Sequence, residues 1–234
     1  MKTQSKPFFK LSFLALFSSI LGISGLAIAI IATLGFLFLS QQVFAQHTTT
    51  FDTAILQYFL SIQNTFLTLF FTIITFLGEP LFLMIINLVF IVFLWIKNQR
   101  SRAIVYLIIG NGAAEFNYFI KDFFGRERPE LWDRILEVKY FSYPSAHAMN
   151  SIVIYGLICY YLMNQFKPWR WLILTITSIL VILIGLSRLY FGVHWPTDII
   201  AAYTMGSVWL AIAILILEIV KLLVNNQTEN TEIE

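Results

Sequence analysis

Three short clusters in the second half of the chain hold residue types that could bind and transfer an anionic group. The clusters are Lys121-Asp-Phe-Phe-Gly-Arg-Glu-Arg128-Pro129, Pro144-Ser145-Ala146-His147, and Ser187-Arg188 followed after five residues by His194-Trp-Pro-Thr-Asp198. Each cluster lies at the edge of an apolar run, where a helix would begin or end. Arginine binds oxyanions through a planar fork and lysine acts as a point charge, so these cations suit a ligand with several anionic oxygens.

The spacing in the first cluster favours a shared face for its two cations. Lys121 and Arg128 are seven residues apart. If the helix predicted over Ala103–Ile120 continues, they lie two turns apart on one side of it, and Pro129 ends the helix. Alone this is a weak signal, because basic side chains at the end of a membrane helix also extend toward water.

The second cluster is typical of a helix start. Ser145 is a common N-cap residue, and the free N–H groups of a helix N-terminus bind anions. His147 beside them can gain or lose a proton near neutral pH. The pattern therefore predicts an anion site next to a proton donor.

The third cluster predicts an oriented histidine. His194 and Asp198 are four residues apart, and Pro196 between them favours the first turn of the last helix. A carboxylate on one ring nitrogen would raise the nucleophilicity of the other, although the same spacing also fits a simple hydrogen bond at a helix start. Two histidines and an aspartate could ligate zinc, but the neighbouring cations would repel a dication, so we expect no metal.

The elements that must position these clusters are membrane helices. Of the 234 residues, 59% are hydrophobic and 12% are charged, whereas soluble domains carry about 25% charged and about 45–50% apolar residues. Between Leu11 and Ile96 the only charged residues are Asp52 and Glu79. The composition excludes a water-soluble protein and predicts an all-α, polytopic membrane bundle.

Six apolar runs are long enough to be considered as transmembrane helices. They are Leu11–Ser40, Leu81–Ile96, Ala103–Ile120, Ala148–Met163, Trp171–Leu186 and Ile199–Leu223. The stretch Phe51–Leu77 is predicted to be helical but not spanning, because its apolar run Phe66–Leu77 has only twelve residues. One span between Ser40 and Lys97 also keeps the basic loops on the cytoplasmic side.

This topology places both chain termini in the cytoplasm and all three clusters on the opposite face of the membrane. Residues 1–224 are predicted to form a single integral-membrane domain with its motif core at 121–198, and residues 225–234 a polar, disordered cytoplasmic tail. Arg126, Arg134 and Lys139 are interpreted as tolerated loop charges. Glu115 or Asn117, inside the third span, is interpreted as a support for Lys121.

Together the three clusters resemble the signature of the phosphatidic acid phosphatase type 2 superfamily, in its membrane branch related to the vanadium haloperoxidases. That signature is Lys-x6-Arg-Pro, then Pro-Ser-Gly-His, then Ser-Arg-x5-His-x3-Asp, and order and spacing both agree here. The resemblance covers the segment Lys121 to Asp198. One position departs from it, because Ala146 stands where the family has glycine.

The resemblance implies roles for the residues of the clusters. His194 would be the nucleophile that becomes phosphohistidine, Asp198 would orient it, and His147 would protonate the leaving oxygen. The phosphate oxygens would be bound by Lys121, Arg128, Ser145, Ala146 and Arg188. No cofactor, metal, nucleic acid or obligate protein partner is expected.

A site at helix ends near the membrane surface suits a phosphate whose lipid tail stays in the bilayer. The expected substrate is a lipid phosphate or diphosphate: undecaprenyl diphosphate first, then phosphatidylglycerophosphate or phosphatidic acid. Two alternatives remain open. The same site could pass the phosphoryl group to another acceptor, or the protein could be a catalytically silent binder or transporter of an anionic lipid.

Overall fold

The computed structural model describes residues 20–132 and 140–231, with side chains described for 25–132 and 140–224. This part of the chain is helical, without strands, so the all-α prediction is confirmed. The helices are α1 (Ile20–Phe44), α2 (Thr49–Ser61), α3 (Thr65–Leu77), α4 (Pro80–Ile96), α5 (Arg100–Phe124), α6 (Ala146–Gln165), α7 (Arg170–Tyr190) and α8 (Pro196–Thr231), with a 3-10 helix at Lys167–Trp169 before α7.

Five helical segments of the described chain are long and apolar enough to cross a membrane. They are Gly25–Phe44, Arg100–Phe124, Ala146–Gln165, Lys167–Tyr190 and Pro196–Val224. These agree with five of the six predicted spans, although residues 11–19 of the predicted first span lie outside the described residues.

The remaining predicted span, Leu81–Ile96, differs in the structure. Helix α4 has 17 residues and qualifies as a span only together with α3, from which it is bent by 47°. The interruption is Gly78-Glu79-Pro80, where Pro80 begins α4 and fixes the backbone turn. The predicted helical stretch Phe51–Leu77 is thus two helices, α2 and α3, and α3 forms one arm of this bent pair.

The helices pack around α6 and α8. Helix α8 contacts α1 and α6, and α6 contacts α7. A Cβ atom added at Gly206 on α8 would lie 2.1 Å from Ile152 Cγ2 and 3.2 Å from the Met149 carbonyl of α6, so this glycine permits the two backbones to approach closely. Large apolar side chains such as Ile31 and Val89 are exposed, as expected for surfaces that face lipid.

Two helix ends differ from the sequence prediction. Helix α5 ends at Phe124, because Gly125 adopts a left-handed conformation with φ of 57°. Arg128 therefore lies in the following loop and not two helical turns beyond Lys121, and Pro129 does not end the helix. At the C-terminus, α8 extends to Thr231, which is within the segment 225–234 predicted as a polar tail.

The bundle brings the three clusters to one end. Lys121 lies in the last turn of α5, His147 in the first turn of α6, Arg188 in the last turn of α7 and Asp198 in the first turn of α8. The backbone N–H of Ser145 donates to the Asp198 carbonyl at 3.2 Å, which joins the second and third clusters directly.

Candidate active site

His194 lies in the loop between α7 and α8, with 2% of its surface exposed. Its Nδ1 is 3.2 Å from Asp198 Oδ2, as the four-residue spacing predicts. The same carboxylate oxygen accepts hydrogen bonds from the Trp195 backbone N–H at 2.8 Å and from the Ser142 hydroxyl. Asp198 is itself fully buried. One ring nitrogen of His194 is thus held by a fixed carboxylate.

Cations surround the other side of the His194 ring. Arg128 Nη1 lies 3.2 Å from His194 Nε2. Burial, together with the charges of Arg128, Lys121 and Arg188, holds the pKa of His194 well below its usual range. A neutral ring with its proton on Nδ1, donated to Asp198, leaves the Nε2 lone pair directed at the cations.

Backbone carbonyls hold two of these cations in place. Lys121 Nζ donates to the Phe141 carbonyl at 2.6 Å and to the Ser142 carbonyl at 3.3 Å. Arg128 donates to the Tyr140 carbonyl at 2.7 Å through Nε and to the Val193 carbonyl at 2.5 Å through Nη1. The segment 140–142 before α6 therefore anchors both members of the first cluster.

Arg188 is as deeply buried as Lys121, with 3% of the surface of each residue exposed. Its Nη1 donates to Thr75 Oγ1 of α3 at 2.6 Å. Its Nε has no hydrogen-bond partner in the described part of the chain. A buried guanidinium with an unused donor is costly unless an anion completes its hydrogen bonds.

The N-terminus of α6 has the predicted capping geometry. Ser145 is extended, with φ of −68° and ψ of 119°, and its hydroxyl accepts from the Ala148 N–H. Within the described residues, the non-glycine residues with positive φ are Gln46 and Asn98, so Ala146 replaces the family glycine without backbone strain. The first N–H groups of α6 have no intrahelical acceptor and are available to an oxyanion.

His147 is paired with a residue that the sequence analysis did not assign to the site. Its Nε2 lies 3.0 Å from Glu79 Oε2, at the break between α3 and α4. Gly78 brings this break close, since an added Cβ there would lie 3.4 Å from His147 Cδ2 and 2.3 Å from Ile184 Cγ2. The carboxylate accepts a hydrogen bond from the ring and so fixes its orientation.

The interpretation of Arg126 as a tolerated loop charge is wrong. Its Nη1 lies 2.6 Å from Asp198 Oδ1, and its Nη2 lies 2.7 Å from Asp52 Oδ2 of α2. Asp52 is fully buried and also accepts from the Thr197 backbone N–H at 3.0 Å. Arg126 therefore bridges two buried carboxylates, one of which contacts His194. Arg134 and Lys139 lie outside the described residues.

The sequence carries one signal for Asp52. It is one of only two charged residues between Leu11 and Ile96, and an ionisable group in such an apolar segment is a functional candidate by default. Its partner could not be identified because Arg126 is 74 residues away in the chain.

The expected support of Lys121 by Glu115 or Asn117 is not present among the described hydrogen bonds. The Asn117 amide donates to the Pro144 carbonyl and to Met149 Sδ, both at 3.4 Å, so it holds the turn before α6. Glu115 is exposed on α5. The buried amine of Lys121 instead relies on the carbonyls of Phe141 and Ser142.

Lys121, Arg128, Arg188 and the N-terminus of α6 together form a binding site for a multiply charged oxyanion. This oxyanion site lies beside the neutral imidazole nitrogen of His194. Three side-chain cations and the N-terminus of α6 can neutralise the oxygens, and His194 can attack the central atom. His147 can exchange a proton with a departing group. Within residues 20–132 and 140–231, no three imidazole, thiolate or carboxylate groups converge in a metal-binding arrangement.

Known phosphatases are similar in sequence to this chain. Phosphatidylglycerophosphatase B of Bacillus subtilis is 26% identical over 174 residues, which are 73% of this chain and 85% of that protein. An undecaprenyl-diphosphatase of Sulfolobus acidocaldarius is 41% identical over 71 residues, which are 30% of this chain and 31% of that protein. The expectation of an enzyme that hydrolyses phosphoric esters or anhydrides is confirmed.

Solved structures share the fold. The crystal structure of a transmembrane PAP2-type phosphatidylglycerolphosphate phosphatase from Bacillus subtilis has a TM-score of 0.76 at 24% identity, covering 81% of this chain and 96% of that one. The structure of LpxE from Aquifex aeolicus has a TM-score of 0.56 at 20% identity, covering 70% of this chain and 94% of that one.

The PAP2 superfamily model matches residues 101–221, which is more than half of the 234 residues and includes all three clusters. The resemblance inferred from the clusters is confirmed: the chain belongs to the PAP2 superfamily.

Proposed function

We propose that this protein hydrolyses the terminal phosphate of a membrane lipid phosphate or diphosphate, with His194 as the nucleophile. The observation that carries the proposal is the buried, cationic oxyanion site around the neutral His194. Arg188 is 3% exposed and has an unpartnered Nε, while Arg128 lies 3.2 Å from His194 Nε2. A phosphate group supplies the oxygens that these donors need.

The proposed reaction has two steps. In the first, His194 Nε2 forms a bond to phosphorus, the bond from phosphorus to the lipid oxygen breaks, and His147 gives its proton to that oxygen. In the second, a water oxygen bonds to phosphorus, the Nε2–phosphorus bond breaks, and His147 takes the proton of the water. The position of Nδ1 at 3.2 Å from Asp198 supports Nε2 as the attacking atom.

Charge stabilisation in this scheme comes from the chain itself. Phosphoryl transfer depends mainly on positioning and on neutralising the equatorial oxygens. Lys121, Arg128 and Arg188 provide three positive charges, and the N–H groups at Ala146 and the Ser145 hydroxyl provide further donors. A divalent cation would be repelled by this set, so we propose a metal-independent reaction.

The substrate class follows from the location of the site. The clusters lie at helix ends in a chain with several membrane spans, so a lipid can keep its tail in the bilayer while its phosphate reaches His194. The relative matched over most of its length is a phosphatidylglycerophosphatase, and the shorter match is an undecaprenyl-diphosphatase. Both lipids, and phosphatidic acid, are candidates.

We also propose that the chain termini are cytoplasmic and that the site faces the opposite side of the membrane. This orientation keeps the basic residues Lys97, Arg100 and Lys167 inside. They lie at the end of the bundle away from His194, since Arg100 begins α5 and Lys121 lies in its last turn.

The test is phosphate release from a substrate panel by the purified protein in detergent. Phosphatidylglycerophosphate, undecaprenyl diphosphate and phosphatidic acid are compared with and without EDTA, for the wild type and for His194→Ala. We expect release from at least one lipid, unchanged by EDTA, and a loss of at least about 10³-fold in His194→Ala.

The other outcomes separate the alternatives. Loss of lipid phosphate without free phosphate, dependent on an added acceptor, would identify a phosphotransferase. Binding without turnover of any lipid would identify a silent binder. Equal turnover by wild type and His194→Ala would exclude His194 as the nucleophile.

A further inference from the structure

A basic pocket lies at the end of the bundle opposite the catalytic residues. It has a volume of about 300 Å³ between α5, α6, the 3-10 helix and α8, and Arg102, Lys167 and Lys221 line it. Arg102 lies in the first turn of α5 and Lys121 in its last turn, so the pocket and the oxyanion site are roughly 28 Å apart at about 1.5 Å per residue.

The charges of this pocket are not balanced by its neighbours. Glu218 accepts a hydrogen bond from the Tyr160 hydroxyl and lies 3.5 Å from Lys221 Nζ. Arg102 donates to the neutral Gln99 side chain at 2.8 Å. In the part of the chain that the structure describes, neither Arg102 nor Lys167 forms an ion pair. Three cations thus face one carboxylate.

The pocket wall also offers uncharged hydrogen-bond donors. Tyr161 and Asn164 lie on the last turns of α6 and line the same cavity, as does Tyr160, whose hydroxyl hydrogen is already donated to Glu218. Its volume equals that of about ten water molecules at about 30 Å³ each, which is enough for a phosphate group with part of its glycerol. Cations with hydroxyl and amide donors are the groups that bind phosphate oxygens.

Residues around the pocket are typical of a membrane–water interface. Trp169 and Trp171 are 61% and 65% exposed, and the Arg170 guanidinium lies 5.3 Å from the centroid of the Trp171 ring. On the neighbouring helix end, Arg100 lies 5.5 Å from the centroid of the Trp95 ring. Exposed tryptophans and basic residues gather at the level of the lipid headgroups. A ligand in the pocket would therefore have its phosphate at this level.

We propose that this pocket binds the phosphate of an anionic phospholipid whose acyl chains remain in the bilayer. Basic pockets between membrane helices recognise such headgroups. The bound lipid would join α5, α6 and α8, the helices whose opposite ends carry Lys121, His147 and Asp198. It would act as a structural ligand and not as a substrate, and the site is independent of the catalytic proposal.

The test is the unfolding temperature of the purified full chain, titrated with phosphatidylglycerol, phosphatidylcholine or inorganic phosphate. The pocket variant is Lys167→Gln with Lys221→Gln, two exposed residues. The matched control is Lys97→Gln with Arg170→Gln, which removes the same charge from the same end of the bundle but not from the pocket lining.

We expect phosphatidylglycerol to stabilise the wild type and the control, and phosphatidylcholine to have little effect. Two lost basic residues should weaken the apparent affinity of the pocket variant by about 20- to 30-fold, at about fivefold for each. If the double variant does not fold, Lys167→Gln and Lys221→Gln alone should each show the smaller loss.

Three results would overturn the proposal. They are equal stabilisation by phosphatidylcholine, equal stabilisation by inorganic phosphate at the same concentration, and an undiminished response to phosphatidylglycerol in the pocket variants. The second result would identify a site for free phosphate instead of lipid. A change in phosphate release is not the readout, so failure of the catalytic proposal would not affect this test.

Discussion

The two ring nitrogens of His194 have different surroundings, and the chemistry of the residue depends on both. Asp198 holds Nδ1 at 3.2 Å, and Arg128 approaches Nε2 at 3.2 Å. Burial first, and then the cations that would bind a phosphate, lower the pKa of the ring and disfavour a proton on it. The same charges that attract the substrate therefore keep the nucleophile unprotonated.

The pH dependence of kcat/KM tests this relation. Burial and Arg128 lower the pKa of His194, so the acidic limb of the profile, where His194 takes up a proton, should lie well below pH 6.5. Arg128→Gln removes the largest charge contribution, so the pKa should rise and the acidic limb should move to higher pH. The comparison uses one substrate, which cancels its own ionisation. A limb that stays in place in Arg128→Gln contradicts the assignment.

Asp52 and Arg126 act on the nucleophile through Asp198. Asp52→Asn removes the charge that holds Arg126 Nη2 at 2.7 Å, and Arg126 is then free to shift from Asp198. We expect kcat to fall by about 10- to 100-fold, as for other residues that orient a catalytic group, with a smaller change in KM. Asp122→Asn, at an exposed position on α5, is the matched control and should keep wild-type kinetics. Wild-type kcat in Asp52→Asn would show that the bridge has no positioning role.

Among the elements, the break between α3 and α4 contributes most that was not expected. It brings Thr75 within 2.6 Å of Arg188 Nη1 and Glu79 within 3.0 Å of His147 Nε2. Thr75 lies in the last turn of α3, and Glu79 lies immediately before α4. The bend therefore supplies contacts to two of the three clusters.

The close packing at the break between α3 and α4 can be tested by a substitution that adds one methyl group at Gly78. In Gly78→Ala the new Cβ would lie 2.3 Å from the buried Ile184 and 3.4 Å from the His147 ring. We expect a loss of about 1–3 kcal/mol of stability from overpacking, seen as a lower unfolding temperature, together with reduced kcat. Gly35→Ala on α1, where the Cβ meets nothing within 4 Å, is the control. Equal unfolding temperatures for the two variants would contradict the close packing at Gly78.

At the scale of the whole molecule, the sequence predicted what depends on local pattern. Apolar runs predicted the helices, and the four-residue spacing predicted the contact of His194 with Asp198. Contacts between distant segments could not be read in this way. Asp52 with Arg126 and Thr75 with Arg188 are 74 and 113 residues apart, and no periodicity connects them. The helical position predicted for Arg128 is wrong because the left-handed Gly125 ends α5 before it.

The proposed orientation of the molecule can be tested by labelling from one side of the membrane. Cys159 is buried and is the only cysteine, so the wild type should react little with a membrane-impermeant maleimide. Glu127→Cys lies beside the oxyanion site, and Lys97→Cys lies at the other end of the bundle. Intact cells should label Glu127→Cys alone, and lysed cells should label both. Labelling of Lys97→Cys alone in intact cells would reverse the topology.

The most direct measurement is rapid-quench trapping of a phosphoenzyme with lipid substrate labelled in its terminal phosphate. We expect label bound to the wild-type protein that is stable in base and labile in acid, as a phosphohistidine is, and that maps to the peptide containing His194. His194→Ala should carry no label although it still inserts into the membrane. Phosphate release by the wild type with no trapped intermediate, or label that persists in His194→Ala, would contradict the covalent role of His194.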